Sequence, residues 1–274
     1  MNHRKKVLAL WLGAAVLLLA GAVLTGSPGR AESVQEAMRD AVLHGANRIS
    51  LLGLKEVNPG MISALTVTGA LLAAAACIRV LVIPRFQYVP GRLQLLLEEA
   101  VGLFDRMAKT SSPHRNGFLG LYIFSAGAYI FVGTLFELLG LQAVTTAGRP
   151  ITLPAPLSDV NAAIALGCLS YLVILSGGIA GNGAGGIGKT LKEFSLPISM
   201  SFRLFGALLS GLLVTELVYY FVGLSFVLPV VVGVLFTLLH ALIQTYVLTM
   251  LTALYYGEVS EPARRERKST ARSA

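Results

Sequence analysis

Arg203 lies in the middle of a long apolar segment, SMSFRLFGALLSGLLV, where a charged side chain is unexpected. An ionised guanidinium near the centre of a membrane helix costs roughly 2.5–3.5 kcal/mol on insertion scales. Arginine stays protonated inside proteins, so the side chain cannot avoid this cost by becoming neutral. We therefore expect Arg203 to face water, a counter-charge or a partner subunit, and to have a functional role.

Mostly small residues share the helix face of Arg203. On an ideal helix with about 100° per residue, the positions within about 60° of it are Gly206, Ala207, Ser210 and Val214. Small side chains allow another helix to approach closely. The sequence therefore predicts that a partner helix packs against this face.

The next apolar segment carries a stripe of polar residues at helical spacing: Thr237, His240, Gln244 and Tyr255. A lone transmembrane histidine acts either as a donor that joins helices or as a proton carrier, and a lone glutamine also joins helices. Three carboxylates lie in or near the apolar segments, namely Glu137, Glu193 and Glu216. A fixed cation beside several titratable or polar groups is more typical of proton movement than of substrate binding.

The overall composition is that of a polytopic membrane protein. Hydrophobic residues make up 55% of the 274 residues, charged residues only 13%, and the mean hydropathy is +0.72. Soluble domains carry about 25% charged residues. The net charge of +8 lies mostly in loops and tails beside apolar segments, where it sets topology and does not indicate nucleic-acid binding. Cys77 and Cys168 are interpreted as packing residues, and neither a metal site nor a cofactor is predicted.

The N-terminal region has the pattern of a secretory signal. Basic residues precede an apolar run from Val7 to Leu24, and small residues precede a cleavage position after Ala31. The apolar run is also just long enough to form an uncleaved first span. Both interpretations place Glu32 and the following residues outside the cytoplasm. The predicted regions are 1–31 as signal peptide or extra span, 32–60 as external segment, 61–258 as membrane domain and 259–274 as basic cytoplasmic tail.

Beyond the N-terminal region, the hydropathy predicts an all-α polytopic membrane protein. The expected membrane segments are 61–83, 117–141, 158–180, 195–222 and 225–257. Basic residues concentrate in 84–116, at Lys189 and Lys192, and after the last segment, so the positive-inside rule places these parts and the C-terminus in the cytoplasm. The last two segments exceed the roughly 20 residues that a bilayer needs, so we expect them to form strongly tilted helices joined by a turn near Gly223.

Residues 90–109 show a different periodicity. Apolar residues recur there at helical spacing, with glutamates, aspartate, glutamine and arginine on the opposite side. This pattern predicts an amphipathic helix that lies on the cytoplasmic membrane surface.

The stretch GAGGIGKT at 183–190 formally matches the phosphate-binding pattern G-x-x-x-x-G-K-[ST]. Such a loop needs a buried strand before it and an α/β domain around it, but here it lies between two apolar segments. We interpret it as a flexible glycine-rich cytoplasmic turn and expect no nucleotide to bind to this chain.

Two motifs resemble the a subunit of the F-type ATP synthase membrane sector. PISMSFRLFG at 197–206 is similar to the family's Pro-x-Ser-x-x-x-Arg-Leu-Phe-Gly motif, and IQTYVLTMLTALY at 243–255 is similar to its Gln-aromatic and Leu-Thr-x-x-Tyr stretch. PGRLQLLLEEAV (90–101), FELLGL (136–141) and LSDVNAAIAL (157–166) match further stretches in the same order. The similarity extends from about residue 84 to 258.

The resemblance implies a proton-channel stator subunit in the inner membrane of a bacterium. In this family the a subunit faces a ring of c subunits, each with a carboxylate in mid-membrane, and two aqueous half-channels connect the ring to opposite sides. The resemblance assigns to Arg203 the role of keeping the facing carboxylate ionised, with Gln244 as its polar neighbour. It also implies that peripheral-stalk b subunits, the rest of the F1F0 complex and membrane lipid are partners, and that this chain is not catalytic alone.

The sequence departs from the family pattern at positions that belong to the half-channels. The family usually has asparagine at the position of Ala207. At the positions of Leu212 and Thr237 it often has glutamate or histidine. Glu216 and His240 lie about one turn from the last two positions and are expected to substitute for that pair. The other candidate half-channel residues are Ser210, Thr237, Asp159, Asn161 and Tyr255.

Two other functions fit the sequence less well. A secondary transporter would use Arg203 to bind an anionic substrate at the membrane midplane, but such proteins usually contain repeat-related halves, and the sequence shows no internal repeat. A membrane-embedded hydrolase is disfavoured because no HExxH or GxSxG motif is present.

Overall fold

The computed structural model describes residues 49–51, 54–144, 150–220 and 228–262, together with isolated residues between 12 and 20. The predicted signal region, the turn near Gly223 and the basic tail beyond residue 262 therefore lie outside the described residues. The backbone of Glu216 is described as helical, but its side chain is not.

Seven α-helices and two short hairpins make up the described part of the chain. They are β1 (Ile49–Leu51), β2 (Leu54–Val57), α1 (Pro59–Cys77), α2 (Arg92–Ser111), α3 (Gly117–Leu135), β3 (Gln142–Val144), β4 (Pro150–Thr152), α4 (Val160–Asn182), α5 (Ala184–Lys192), α6 (Ser195–Tyr220) and α7 (Leu228–Ser260). A π-helical turn (Ile78–Val82) and a 3-10 turn (Ile83–Arg85) extend α1, and 3-10 turns also occur at Phe136–Leu139 and Pro156–Ser158.

Within the described residues, five helical segments are long and apolar enough to cross a membrane. They are Pro59–Arg85, Gly117–Leu139, Val160–Asn182, Ser195–Val214 and Gly233–Ser260. The predicted all-α polytopic fold and its five spans are thus confirmed. The sequence analysis did not predict the two antiparallel hairpins, β1 with β2 and β3 with β4.

The core lies between α3, α4, α6 and α7, which pack against one another, while α1 lies at the periphery. Its fully buried side chains include Ile123, Ile174, Met200 and Leu204. Glycines bring the helices close at several points. A Cβ atom at Gly177 of α4 would lie 2.5 Å from the ring of Tyr256 of α7. Close backbone approach of this kind is how membrane helices gain packing energy without a hydrophobic driving force.

The predicted amphipathic helix is confirmed as α2. Its packing is closest near the C-terminal end, where Ala108 is buried and the ring of Phe104 meets that of Phe124 edge-on at 5.7 Å. Leu93 and Leu96, at the start of the same apolar face, are exposed. That exposure is compatible with the predicted position on the membrane surface, which stays a prediction.

Two interpretations of the sequence are wrong. Residues 184–190 of the glycine-rich stretch belong to the helix α5, and the turn is confined to Gly183, whose φ is +59°. The physical reason is close packing: a Cβ atom at Gly178 of α4 would lie 3.0 Å from the carbonyl oxygen of Gly186, so the two helices touch. Cys77 and Cys168 are exposed on their helices and are not packing residues.

Candidate functional site

Arg203 projects from an open face of α6. The residues on the same side of α6, within one or two turns of Arg203, are exposed as well, namely Ser199, Gly206 and Ser210. A Cβ atom at Gly206 would have nothing within 4 Å. Among the described residues, Arg203 has no hydrogen bond and no ion pair. The rest of α6 explains why this face is the open one, because its larger apolar side chains, such as Leu204, turn into the core.

Internal hydrogen bonds satisfy two hydroxyl groups of α6, those of Ser201 and Ser210, without using the guanidinium. The Ser201 hydroxyl donates to the carbonyl oxygen of Pro197 at 2.6 Å, and the Ser210 hydroxyl donates to that of Ala207 at 2.8 Å. Pro197 is tolerated because it stands in the first turn, where its missing N–H has no partner in the helix. The helix thus continues through the Arg203 turn while the guanidinium remains unpaired by the described part of the chain.

The polar stripe of α7 turns partly inward. Gln244 is 6% exposed and Thr237 is 8% exposed, whereas His240 and Tyr255 are half-buried. The ring of His240 lies against α6, with Nδ1 3.6 Å from the position of a Cβ atom at Gly211. No hydrogen bond joins Thr237, His240 or Gln244 to any other described residue.

The contact between His240 and Gly211 sets the alignment of the two helices. Because α6 and α7 are successive membrane crossings, they run antiparallel, and Gln244 lies roughly level with Ala207. Arg203 is one further turn along, about 6 Å at 1.5 Å per residue. The structure therefore brings Arg203, Gln244 and His240 to neighbouring turns, with Gln244 inside the bundle and Arg203 on the open face.

Asp159 and Asn161 form part of a helix cap. The Asp159 carboxylate accepts a hydrogen bond from the backbone N–H of Asn161 at 2.7 Å and so caps α4. It also accepts from the side-chain amide of Asn58, which itself caps α1 through the N–H of Gly60 at 2.9 Å. Asp159 thus joins the starts of two spans. The turn just before it packs against α6.

Sequence reasoning missed two polar residues of this region. Ser199 lies one turn before Arg203 on the open face, and its spacing of four residues was the available signal. Asn58 was missed because its partner, Asp159, is 101 residues away in the chain. Its position directly before Pro59 at the start of a span was the only local signal of a cap.

The stretch 183–190 is part of a packed helix and the turn before it. The Thr190 hydroxyl is buried and donates to the carbonyl oxygen of Gly186 at 3.0 Å, and the Lys189 ammonium donates to that of Glu261 at 3.3 Å. A helix, α4, precedes the stretch, and not the buried strand that a phosphate-binding loop requires. This part of the chain is therefore structural.

Comparisons with known proteins show the family of this chain. The profile of the family described as ATP synthase A chain matches residues 60–257, well over half of the chain. The chain is 29% identical over 192 residues to ATP synthase subunit a of Cereibacter sphaeroides strain ATCC 17025 / ATH 2.4.3, covering 66% of this chain and 74% of that protein. The corresponding protein of strain ATCC 17029 / ATH 2.4.9 gives the same identity and coverage. The chain therefore belongs to the ATP synthase A chain family, the multi-pass a subunits of the non-catalytic F0 membrane sector of F-type ATP synthases.

Proposed function

We propose that the chain is the ion-translocating stator subunit of its F0 sector, and that Arg203 faces the mid-membrane carboxylates of a rotating c ring. One observation carries this proposal: Arg203 is exposed, unpaired among the described residues, and surrounded by small residues near the middle of a membrane-spanning helix. A guanidinium in that position is stable only beside water or a counter-charge. A ring of carboxylate-bearing helices supplies both the charge and the packing surface.

The small side chains around Arg203 define how near such a ring approaches. Gly206 leaves open space, and Ser199 and Ser210 add little volume, so a neighbouring helix can approach the backbone of α6. A guanidinium within about 4–6 Å of a carboxylate favours the ionised form of the carboxylate. A ring subunit that reaches Arg203 therefore releases its proton, and Arg203 prevents protons from crossing without rotation.

The polar groups of α7 support a hydrated path beside Arg203. Thr237, His240 and Gln244 follow one another along the side of α7 that meets α6, and no described residue satisfies their hydrogen-bonding groups. Their polar atoms are not enclosed by the protein, and polar atoms that lack a protein partner but stay accessible bind water. We assign this path to the half-channel on the external side, with Glu216 as a further member. Ser210, Asp159, Asn161 and Tyr255 are the remaining candidates for contact with the ions.

The same proposal includes location and partners. The basic residues of 84–116 and of the C-terminal tail favour a bacterial inner membrane topology with the mature N-terminus outside and the C-terminus in the cytoplasm. The exposed start of the apolar face of α2 suits contact with lipid or with the peripheral-stalk b subunits. ATP is made elsewhere in the F1F0 complex, and this chain binds no nucleotide.

The experiment replaces Arg203 by alanine in the complete complex. Arg203→Ala is expected to reduce gradient-driven ATP synthesis in membrane vesicles to background, while the amount of assembled complex stays close to that of the wild type. Arg203→Lys is expected to restore little, because an ammonium is a more strongly hydrated point charge on a different stem. Arg92→Ala is the matched control, since Arg92 is exposed at the start of α2 and is expected to keep normal synthesis. Normal synthesis by assembled Arg203→Ala complexes would refute the proposal.

A further inference from the structure

The bend between α1 and α2 carries positive charge that no described residue neutralises. Arg79, Arg85 and Arg92 are the only charged residues between positions 57 and 97. All three are exposed, and none of their side chains forms an ion pair or a hydrogen bond with another described residue. We call residues 79–92 the basic bend. Its charge is balanced by a partner other than the described part of the chain.

The part of α2 that follows the basic bend has no such excess of positive charge. Its charged side chains are Glu98, Glu99, Asp105, Arg106 and Lys109. The Arg106 guanidinium pairs with the Glu99 carboxylate at 2.5 Å, and the Lys109 ammonium pairs with the Asp105 carboxylate at 2.6 Å. Two basic and three acidic groups give residues 98–109 a formal charge of −1, against +3 in the basic bend. An anion is therefore attracted to the bend and not to the helix that follows it.

The length of α1 places the basic bend at the headgroup layer of a bilayer. From Pro59, where α1 begins, to Arg79 is about 30 Å at 1.5 Å per residue, which equals the thickness of the hydrocarbon core. Arg85 lies roughly another 9 Å along the π-helical and 3-10 turns that extend α1. The headgroup layer on each side of a bilayer is about 5–8 Å thick. The two arginines thus bracket the layer that contains the lipid phosphates.

Exposed apolar and aromatic side chains accompany these charges. Tyr88 is exposed in the bend, and Leu93 and Leu96 are exposed on the first turns of α2. The bend is fixed by the Gln94 side chain, which accepts from the backbone N–H of Gln87 and donates to its carbonyl oxygen, both at 3.0 Å. Tyrosine is enriched where a membrane meets water. A surface that combines basic and apolar side chains is suited to a membrane that contains anionic lipid.

We propose that the basic bend binds anionic phospholipids of the cytoplasmic leaflet, with the guanidinium groups of Arg79 and Arg85 at the lipid phosphates. The inference deepens the proposed contact of α2 with lipid and rests on that part of the proposed function. A basic residue near an anionic membrane surface contributes about 1 kcal/mol, which corresponds to about fivefold in lipid affinity. Two such residues favour an anionic over a zwitterionic phospholipid by about 25-fold.

A purely structural role of the two arginines makes a different prediction. Cations near the C-terminus of a helix interact favourably with the helix dipole, and Arg79 and Arg85 lie in the last turns of the α1 extension. If that is their only role, the bend has no preference between lipids. If a helix of another subunit covers the bend, neither lipid reaches it.

The test uses the intact complex in vesicles of phosphatidylcholine and phosphatidylglycerol, with a photoactivatable form of one lipid or the other as probe. Labelling of residues 79–97 is measured by mass spectrometry. The ratio of phosphatidylglycerol to phosphatidylcholine labelling is expected to be about 25 and to fall toward one in 1 M salt, where the Debye length is about 3 Å. Arg79→Gln and Arg85→Gln are each expected to lower the ratio about fivefold, whereas Arg85→Lys keeps the charge and most of the ratio.

Arg106→Gln is the matched control. Arg106 is an exposed arginine of α2 as well, but its charge is already paired with Glu99, so its loss is expected to leave the ratio unchanged. Equal losses in Arg85→Gln and Arg106→Gln would overturn the inference, because the ratio would then report only the net charge of the chain.

Three further results would also overturn the inference. They are a wild-type ratio near one, a ratio that is unchanged in the double variant Arg79→Gln/Arg85→Gln, and crosslinks from the bend to another subunit with labelling by neither lipid. If the glutamine variants fail to assemble, the wild-type complex decides, and a ratio that does not depend on salt overturns the inference. Failure of the proposed function is read separately, because the labelling needs no turnover: active Arg203→Ala complexes would contradict that function while the lipid preference remained.

Discussion

Gly167 determines how closely α4 approaches the helix that carries Arg203. A Cβ atom at Gly167 would overlap the hydroxyl of Ser201 and would lie 2.9 Å from the carbonyl oxygen of Pro197 and 3.2 Å from the backbone nitrogen of Ser201. Two of these three atoms belong to the backbone of α6, so rotation of a side chain cannot relieve the overlap. Gly167→Ala must therefore move α6 away from α4, in the turn just before Arg203.

The cost of this movement is obtained from a pair of variants. Adding a methyl group to a closely packed position costs about 1–3 kcal/mol. Gly→Ala inside a helix also gains about 0.5–1 kcal/mol of backbone propensity, which partly hides that cost. Gly69→Ala on α1 is the matched control, because a Cβ atom there meets nothing within 4 Å. The difference between Gly167→Ala and Gly69→Ala removes the propensity contribution and leaves about 1–3 kcal/mol of overpacking.

The assay is thermal unfolding of this chain in the detergent-solubilised complex, followed by the fraction of the chain that remains soluble. For a chain of this size, 1 kcal/mol shifts Tm by about 2–4 °C, so the two variants should differ by roughly 2–12 °C. Adding Ser201→Ala to Gly167→Ala removes the hydroxyl overlap but not the backbone contacts, so we expect partial recovery. Equal midpoints for Gly167→Ala and Gly69→Ala would show that α4 and α6 are not closely packed at Gly167 and would refute the reasoning.

Two further predictions concern topology and the proposed inlet. After replacement of Cys77 and Cys168, a single cysteine in the C-terminal tail should be labelled only from the cytoplasmic side, because the basic residues there are retained inside; labelling in intact cells by an impermeant reagent would contradict the topology. Glu216→Gln keeps size and hydrogen bonding but removes an ionisable carboxyl, and His240→Ala removes the imidazole from the polar stripe of α7. Both are expected to slow ATP synthesis and to shift its pH optimum, and an unchanged rate and pH profile in both variants would place the inlet elsewhere.

The architecture was predictable because hydropathy and periodicity are local properties of a sequence. Five spans and an amphipathic helix were visible in runs of apolar residues, and both are present in the structure. The motif around Arg203 identified the family in the same local way, and the match over residues 60–257 confirms it. The hairpins escaped prediction because each strand has only three or four residues, too few for a periodic pattern.

Two features are visible only in the tertiary structure: Arg203 lies on an open face, and the helix caps formed by Asn58 and Asp159 are joined. Lipid tails and core side chains are equally apolar, so a hydrophobic sequence cannot show which side of a membrane helix meets protein. For that reason Cys77 and Cys168 were assigned to packing although both are exposed. The contact of Asn58 with Asp159 joins residues too distant in the chain for any local pattern to pair.

The sequence by itself determined that this protein spans a membrane and where its helices run, because the transfer of apolar surface into lipid depends on residue type. The functional role of Arg203 stays a proposal. Tertiary structure alone decided that the Arg203 face is unpaired by the described chain and that the Thr245 hydroxyl lacks a partner there. Those properties depend on which atoms from other helices come within about 3 Å, the range of a hydrogen bond. Such distances result from packing of the whole bundle, so no local stretch of sequence contains them.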